Sequence, residues 1–346
     1  MQETLRKVQL IGRSTFVVSL PKSWAIRMGL KPGIPLRIIL EPDGSLRVTP
    51  PGLSESRVTE SRLVVSEKMS EGALTRELMS RYLAGYSVIR LAFKDATHRL
   101  RKTIQSAIAN KMIGVEIVED NEGGMTLQVL VNVNDLPVTT VVQRMSQIAR
   151  GMIADSIEGL LQKNPELLLD VKMRDDLVDK LYLYLLRQLN ACIRGFVRPR
   201  QVGLSFVEES IQYAVVGKSI ERVGDHAEKI ASNALSMLER ERGLSPEVAE
   251  RLRSMAETSL KIFEDATTCF TGRDRKRALE LMDEYPPVII KAENNLVKSI
   301  SVDGGDTYSL SLRLISDSLR RIHDYSMDIL EATIDLSLEK TCKDHE

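Results

Sequence analysis

Apolar positions change their spacing twice along this chain, and the changes mark off three segments. From residue 4 to residue 50 they fall in short runs broken by glycine and proline, which predicts strand, strand, short helix, strand, strand. Leu5 to Ile11 and Ser14 to Leu20 flank Gly12-Arg13, Pro21 suits a first helical position, and Gly29 suits the C-terminal cap. Pro32-Gly33 turns into a run from Leu36 to Leu40, and Asp43-Gly44 is a hairpin signal leading to Ser45–Val48. A polar linker over 51–60 follows. Next, Arg62 to Ser66, Gly85 to Phe93, Gly114 to Val118 and Met125 to Val131 read as strands, with helices from Glu71 to Ala84 and Ala96 to Lys111. That βαβαββ order predicts a small α/β unit over 62–134. From 138 to 340 the period is helical. Breaks at Asn164-Pro165, Gly195 to Gly203, Gly243 to Pro246, Gly272 to Asp274 and Gly304-Gly305 leave about six helices. Ser245-Pro246-Glu247 reads as a capped start, and Pro286-Pro287 is expected to bend or delay the fifth of these helices.

Composition narrows this picture. Aromatics are only 4% of 346 residues while Leu, Ile, Val, Ala and Met abound, which favours helix bundles over β-sandwiches. Three cysteines, Cys192, Cys269 and Cys342, show no paired spacing, which fits a reducing cytoplasm. No apolar run approaches the roughly 18 residues of a membrane span, and the first residues carry no apolar leader. A soluble, cytoplasmic protein without membrane insertion is expected. Charge is balanced overall, but residues 1–50 carry Arg6, Lys7, Arg13, Lys22, Arg27, Lys31, Arg37 and Arg47 against Glu3, Glu41 and Asp43. Such a basic end suits a polyanion partner. A unit of that size without disulfides barely buries a core, so oligomerisation is its expected staple.

The candidate chemistry lies between Ser219 and Ala234. Ile220, Val223, Ala227, Ile230, Ala231 and Ala234 form one apolar helical stripe. At about 100° per residue, Glu221, Asp225 and Glu228 gather on one flank, and Arg222, His226 and Lys229 on the other. Like charges at i,i+4 cost a helix roughly 0.2–0.5 kcal/mol per pair, so three acids beside a buried seam need a counter-charge. A hard or borderline cation supplies one, and so do arginines of a neighbouring helix or plain solvation. The pattern returns 99 residues later: Leu319, Ile322, Asp324 and Ile329 repeat Ile220, Val223, Asp225 and Ile230, with Arg320 in place of Glu221 and Met327 in place of Glu228. This degenerate repeat predicts two similar helical bundles in tandem.

The Glu-Arg-x-x-Asp-His-x-x-x-Ile run and its Asp324-containing copy resemble the PhoU family of phosphate-uptake regulators, over residues 138–340. The resemblance implies two tandem three-helix bundles, 138–240 and 246–340, and a metal-binding Glu/Asp-x-x-x-Asp motif matched by Glu221 and Asp225. Arg320 breaks the second copy, so at most one well-formed metal cluster is expected, on the first bundle. Asp175, Asp176 and Asp179 fall in a helix expected to start near Lys172, where first-turn acids favour the helix dipole without any metal. In the PhoU-like arrangement that helix lies beside the Glu221 helix, so Asp176 and Asp179 join the cluster with Glu221, Asp225 and Glu228. Fe, Zn, Mn or Mg suits such ligands, and ligand type does not choose among them. His226 points away from the acids.

Arg6-Lys7-Val8, Gly12-Arg13, Leu20-Pro21 and Met28-Gly29-Leu30, with the two turns that follow, resemble the swapped-hairpin domain of the AbrB, SpoVT and MazE families. That resemblance implies a homodimer through residues 1–50 and DNA contacts from Arg6, Lys7 and Arg13, with Lys22 and Arg27 nearby. The basic pair that such domains carry on the short helix falls here on Ala25 and Ile26. As a whole the chain is similar to archaeal-type PhoU proteins with an AbrB-like N-terminus, and the 62–134 unit reads as a scaffold insert. Gly123-Gly124 sits in a hairpin with no helix after it, so it is not a phosphate-binding loop. There is no Glu-x-x-His pair, nucleophile elbow, P-loop or H-E-x-x-H, and no enzyme is expected. The expected fold is multidomain and mainly α. Two functions fit it: a dimeric DNA-binding regulator of phosphate uptake with a sensory bundle, or a signalling adaptor that docks on a phosphate transporter or kinase.

Overall fold

The computed structural model describes residues 4–40, 44–50, 59–94, 98–131, 135–239, 244–300 and 307–338. Asp43, nearly all of the 51–60 linker, Gly243, Gly304-Gly305 and Cys342 lie outside the described residues. The chain divides into two compact units, residues 1–57 and 58–346.

In the first unit, β1 (Gln9–Ile11) pairs antiparallel with β2 (Thr15–Val17), α1 (Lys22–Arg27) follows, and β3 (Arg37–Leu40) pairs antiparallel with β4 (Leu46–Thr49). Gly44 takes φ +80°, a left-handed conformation that a glycine enters without strain, and so closes the second hairpin. The first strand is shorter than the run from Leu5 suggests, because only Gln9 to Ile11 pair with Thr15 to Val17. None of the described residues of this unit is buried, and Phe16 and Ile38 stand 75% and 62% exposed. Two-stranded ribbons are marginal alone, so this single copy lacks a core of its own.

The second unit begins with β5 (Glu60–Val65), α2 (Glu71–Leu83), β6 (Val88–Phe93), α3 (His98–Lys111), β7 (Val115–Asn121) and β8 (Gly124–Val129). Its sheet has the order β5-β6-β8-β7, with β5 and β6 parallel and the other pairs antiparallel. Alternation along the strands makes the sheet two-faced. Leu63, Val65, Ile89, Leu91 and Leu127 are buried with Leu74, Leu78 and Tyr82 of α2 and Leu100 and Ile104 of α3, while Arg62 and Arg90 lie exposed.

Six long helices follow: α4 (Val138–Leu161), α5 (Pro165–Ile193), α6 (Ser210–Leu238), α7 (Pro246–Gly272), α8 (Arg275–Ser299) and α9 (Thr307–Leu336). Helices α4, α5 and α6 pack on one another, as do α7, α8 and α9, and the two groups meet along α6–α9 and α4–α7. One apolar core runs through the sheet and all six helices.

Two expectations change here. Helix α5 starts at Pro165, not near Lys172: the Asn164 side chain accepts the Leu167 N–H at 3.2 Å, and Pro165 occupies the first turn. Asp175 to Asp179 therefore sit deep inside a helix, beyond the reach of its dipole. Helix α8 runs unbroken through Pro286 and Pro287, which withhold backbone donors from the carbonyls four residues earlier. The buried Tyr285 and Ile289 on either side anchor it to the core. The capped start at Ser245 forms as read, its side chain accepting the Val248 N–H at 3.3 Å.

Candidate functional site

The site is built where α5 and α6 cross. Two glycines of α6 let the helices approach: a Cβ on Gly217 would lie 2.3 Å from Leu185 Cδ2, and one on Gly224 would lie 3.3 Å from Asp175 Oδ1. The space beside Gly224 is thus taken by a carboxylate of the opposite helix. Asp179, Glu221 and Asp225 stand near it, and each of these three brings one oxygen within 4.8 Å of the other two.

Their electrostatics are those of acids crowded together. Asp175 is pushed up to about 7, first by burial and then by the charges of Asp225, Asp179, Glu228 and Asp176. Burial, then Glu221 and Asp225, raises Asp179; burial, then Glu221, raises Asp225. One oxygen of Asp175 is buried without any hydrogen-bond partner, and such an acceptor costs about 1–3 kcal/mol. Lysine supplies the nearby positive charge. Lys218 Nζ donates to Glu221 Oε1 at 2.6 Å and Oε2 at 2.5 Å while lying over the Tyr182 ring. Lys172 reaches Glu228 at 3.5 Å.

Of the residues singled out in the sequence, Asp179, Glu221 and Asp225 come together. Glu228 is turned to Ser232 and Lys172, and Asp176 is exposed; both act on Asp175 only through their charge. Asp324 sits on α9 with Arg320 and His323, apart from this group. His226 faces the Tyr325 ring at 5.7 Å, and burial, followed by Lys229, lowers it to about 4. The residue that sequence reasoning undervalued is Asp175. Its i,i+4 relation to Asp179 and the glycine on the facing helix were the available signals, hidden by the misplaced start of α5.

The basic residues of the first unit are all exposed. Arg6 and Lys7 precede β1, Arg13 lies in the β1–β2 turn, and Lys22 and Arg27 open and close α1. Between Lys22 and Arg27, α1 carries Ala25 and Ile26, the latter 69% exposed. A groove of about 580 Å³ between α4 and α7 is lined by Gln143, Ser146, Gln147, Thr267, Thr268, Thr271 and Gly272, with no charged group to do acid–base work. Among the described residues no helix is long and apolar enough to cross a membrane.

These features define a class: a helical body with, among the described residues, one carboxylate cluster between two of its helices, preceded by a small basic module of paired hairpins. Comparison with known proteins shows what each part is similar to. Residues 142–234 match the PhoU domain, and residues 9–55 match the family described as antidote-toxin recognition MazE, bacterial antitoxin. The chain is 24% identical over 208 residues to the phosphate-specific transport system accessory protein PhoU homolog 1 of Thermotoga maritima, covering 59% of this chain and 87% of that one. It is 27% identical over 111 residues to the PhoU homolog of Xylella fastidiosa, 32% of this chain and 43% of the relative. The crystal structure of PhoU from Pseudomonas aeruginosa superposes with a TM-score of 0.48 at 20% identity, covering 57% of this chain and 94% of that one. The chain is thus similar to PhoU proteins in its helical body and to MazE-like domains in its first unit.

Proposed function

We propose that this protein is a cytoplasmic regulator of phosphate uptake, a homodimer that binds DNA through its first unit and a metal ion through its helical body. One observation carries the reading: the segment that matches the PhoU domain, 142–234, contains Asp175, Asp179, Glu221 and Asp225. The PhoU relatives are accessory proteins of phosphate-specific transport.

The donor set suits a divalent cation. It is made only of carboxylate oxygens, it carries an orphaned buried oxygen on Asp175, and its members repel one another. Asp179, Glu221, Asp225 and Asp175 would hold the ion; Fe, Mn, Mg and Zn all accept such ligands. Bound there, it offsets the repulsion that burial concentrates between α5 and α6. The role is regulatory, not catalytic. Elemental analysis of protein purified without an affinity tag tests this part: metal is expected in the wild type and absent from Glu221→Ala/Asp225→Ala. A folded wild type that takes up no metal ends it.

DNA binding rests on Arg6, Lys7, Arg13, Lys22 and Arg27, displayed twice in a dimer, whose phosphate contacts supply affinity. Cross-linked occupancy of the genome in phosphate-replete and phosphate-starved cells tests it. Discrete peaks near phosphate-transport genes that shift with phosphate are expected. Empty profiles in both states favour the second reading, an adaptor that docks on a phosphate transporter or kinase and uses the first unit only to dimerise. Ala25 and the exposed Ile26 on α1 are the observation on that side.

A further inference from the structure

The 99-residue repeat places Arg320, His323 and Asp324 of α9 where Glu221, Gly224 and Asp225 stand on α6. The structure shows what the substitutions do. Arg320 donates from Nε to Asp324 Oδ1 at 3.1 Å and reaches from Nη1 to Glu293 Oε2 at 3.4 Å. Glu293 belongs to α8, which packs beside α9 as α5 packs beside α6. The guanidinium therefore joins carboxylates of two adjacent helices, as a metal between Asp179 and Asp225 would join α5 and α6.

Two further details separate the copies. In the first, Gly224 leaves its space to the Asp175 carboxylate; in the second, the equivalent His323 brings its own ring, 3% exposed, with Nδ1 at 3.1 Å from Asp324 Oδ1. The charges differ as well. Six carboxylates (Asp175, Asp176, Asp179, Glu221, Asp225 and Glu228) act on one another at the first crossing, against Lys172, Lys218 and Lys229. Around Asp324, Glu293 is matched by Arg320, Arg321 stands 3.9 Å from the other Asp324 oxygen, and Asp328 adds one more acid, itself within reach of Arg222. A planar guanidinium satisfies carboxylates through fixed N–H directions and never loses its proton, so it neutralises this crossing under all conditions.

We infer that Arg320 is a built-in cation: its guanidinium takes the place of a metal in the second copy of the motif, so that metal enters only the first. The inference rests on the metal reading of the first cluster, and the experiment keeps the two apart. Full-length protein is equilibrated with Mn²⁺, desalted and assayed for bound Mn²⁺, with folding checked by circular dichroism. Glu221→Ala/Asp225→Ala is expected to abolish uptake, and Glu293→Ala/Asp324→Ala to leave it at the wild-type level. If the first pair retains about half of the wild-type Mn²⁺, and Asp324→Ala removes that remainder, the second copy binds metal and the inference is overturned. Adding Arg320→Glu to Glu221→Ala/Asp225→Ala is expected to bring uptake back to about the wild-type level; no gain in a folded protein overturns the role given to Arg320. Should that variant fail to fold, Arg320→Gln, which removes the charge and keeps a polar chain, is read by the same gain. If the wild type takes up no Mn²⁺, the metal reading of the first cluster fails. Metal entry into the first copy falls with it, while the role given to Arg320 stands if Arg320→Glu in the wild type gains Mn²⁺ and falls if it does not.

Discussion

A half-buried carboxylate pushed up to about 7 makes stability depend on pH, and Asp175 is that residue. In the unfolded chain an aspartate titrates near 4. Between about 4 and 7 the folded, metal-free protein therefore binds more protons than the unfolded chain, and its stability falls as pH rises through that window. The melting temperature of chelator-treated protein should be lower at pH 7.5 than at pH 5.5, by roughly 3 °C for each kcal/mol lost. Asp175→Asn, which keeps the shape and removes the charge, should flatten the slope and raise the melting temperature at pH 7.5; an unchanged slope would assign the effect elsewhere. The acids of α6 were legible in the sequence because a helical wheel is a local object. Asp175 was not, since what perturbs it is burial against Gly224 on another helix, and no local pattern encodes that distance.

Elements follow from short-range chemistry where caps are explicit. Asn164, Pro165, Ser245 and Pro246 set the starts of α5 and α7, and all four were readable as N-terminal signals. Taking the acids near Lys172 as a first turn placed one helix start wrongly, and that single error hid the depth of Asp175 within α5. Pro286 and Pro287, expected to bend or delay this helix, do not delay it: α8 starts at Arg275, and packing of Tyr285 and Ile289 holds it across the prolines. Asn164→Ala should cost about 1 kcal/mol in denaturant unfolding, the value of one lost N-cap. A larger effect belongs to Arg187 on α5, 7% exposed, whose guanidinium donates to the carbonyls of Tyr82 at 2.6 Å and Gly85 at 3.4 Å and lies over the Tyr82 ring. The negative end of α2 offsets that buried charge and ties the α/β layer to the helices. Arg187→Ala leaves a cavity and takes the charged donor from both carbonyls, leaving Tyr82 O with the Gly85 N–H at 3.1 Å and Gly85 O with the Thr59 hydroxyl at 3.3 Å, so a loss of roughly 3 kcal/mol, most of it from the cavity, is expected. A loss below about 1 kcal/mol would mean that the layer is held by apolar packing alone.

At the scale of the whole molecule, the two units solve the burial problem differently. Residues 58–346 have enough chain to enclose a continuous core. The first unit leaves Leu5, Phe16, Ile38, Leu40 and Leu46 largely exposed, a burden that a second copy would relieve. Phe16→Lys with Ile38→Lys removes no contact buried within one chain, so its effect reports on association alone. Sedimentation of this variant should show monomers where the wild type shows dimers, with the far-UV helical signal unchanged; a variant that stays dimeric places the interface elsewhere. The same substitutions bear on DNA binding through counterion release. A dimer presents Arg6, Lys7, Arg13, Lys22 and Arg27 twice, and log K falls with log salt in proportion to the number of phosphates neutralised. Losing the partner should halve the salt slope, even though Phe16→Lys and Ile38→Lys add positive charge to each chain. Arg6→Ala/Arg13→Ala should flatten the slope as well while the dimer persists. Agreement between the two routes would identify the basic surface as the DNA contact. A slope untouched by Arg6→Ala/Arg13→Ala would leave the N-terminal unit as a clasp that joins two helical bodies.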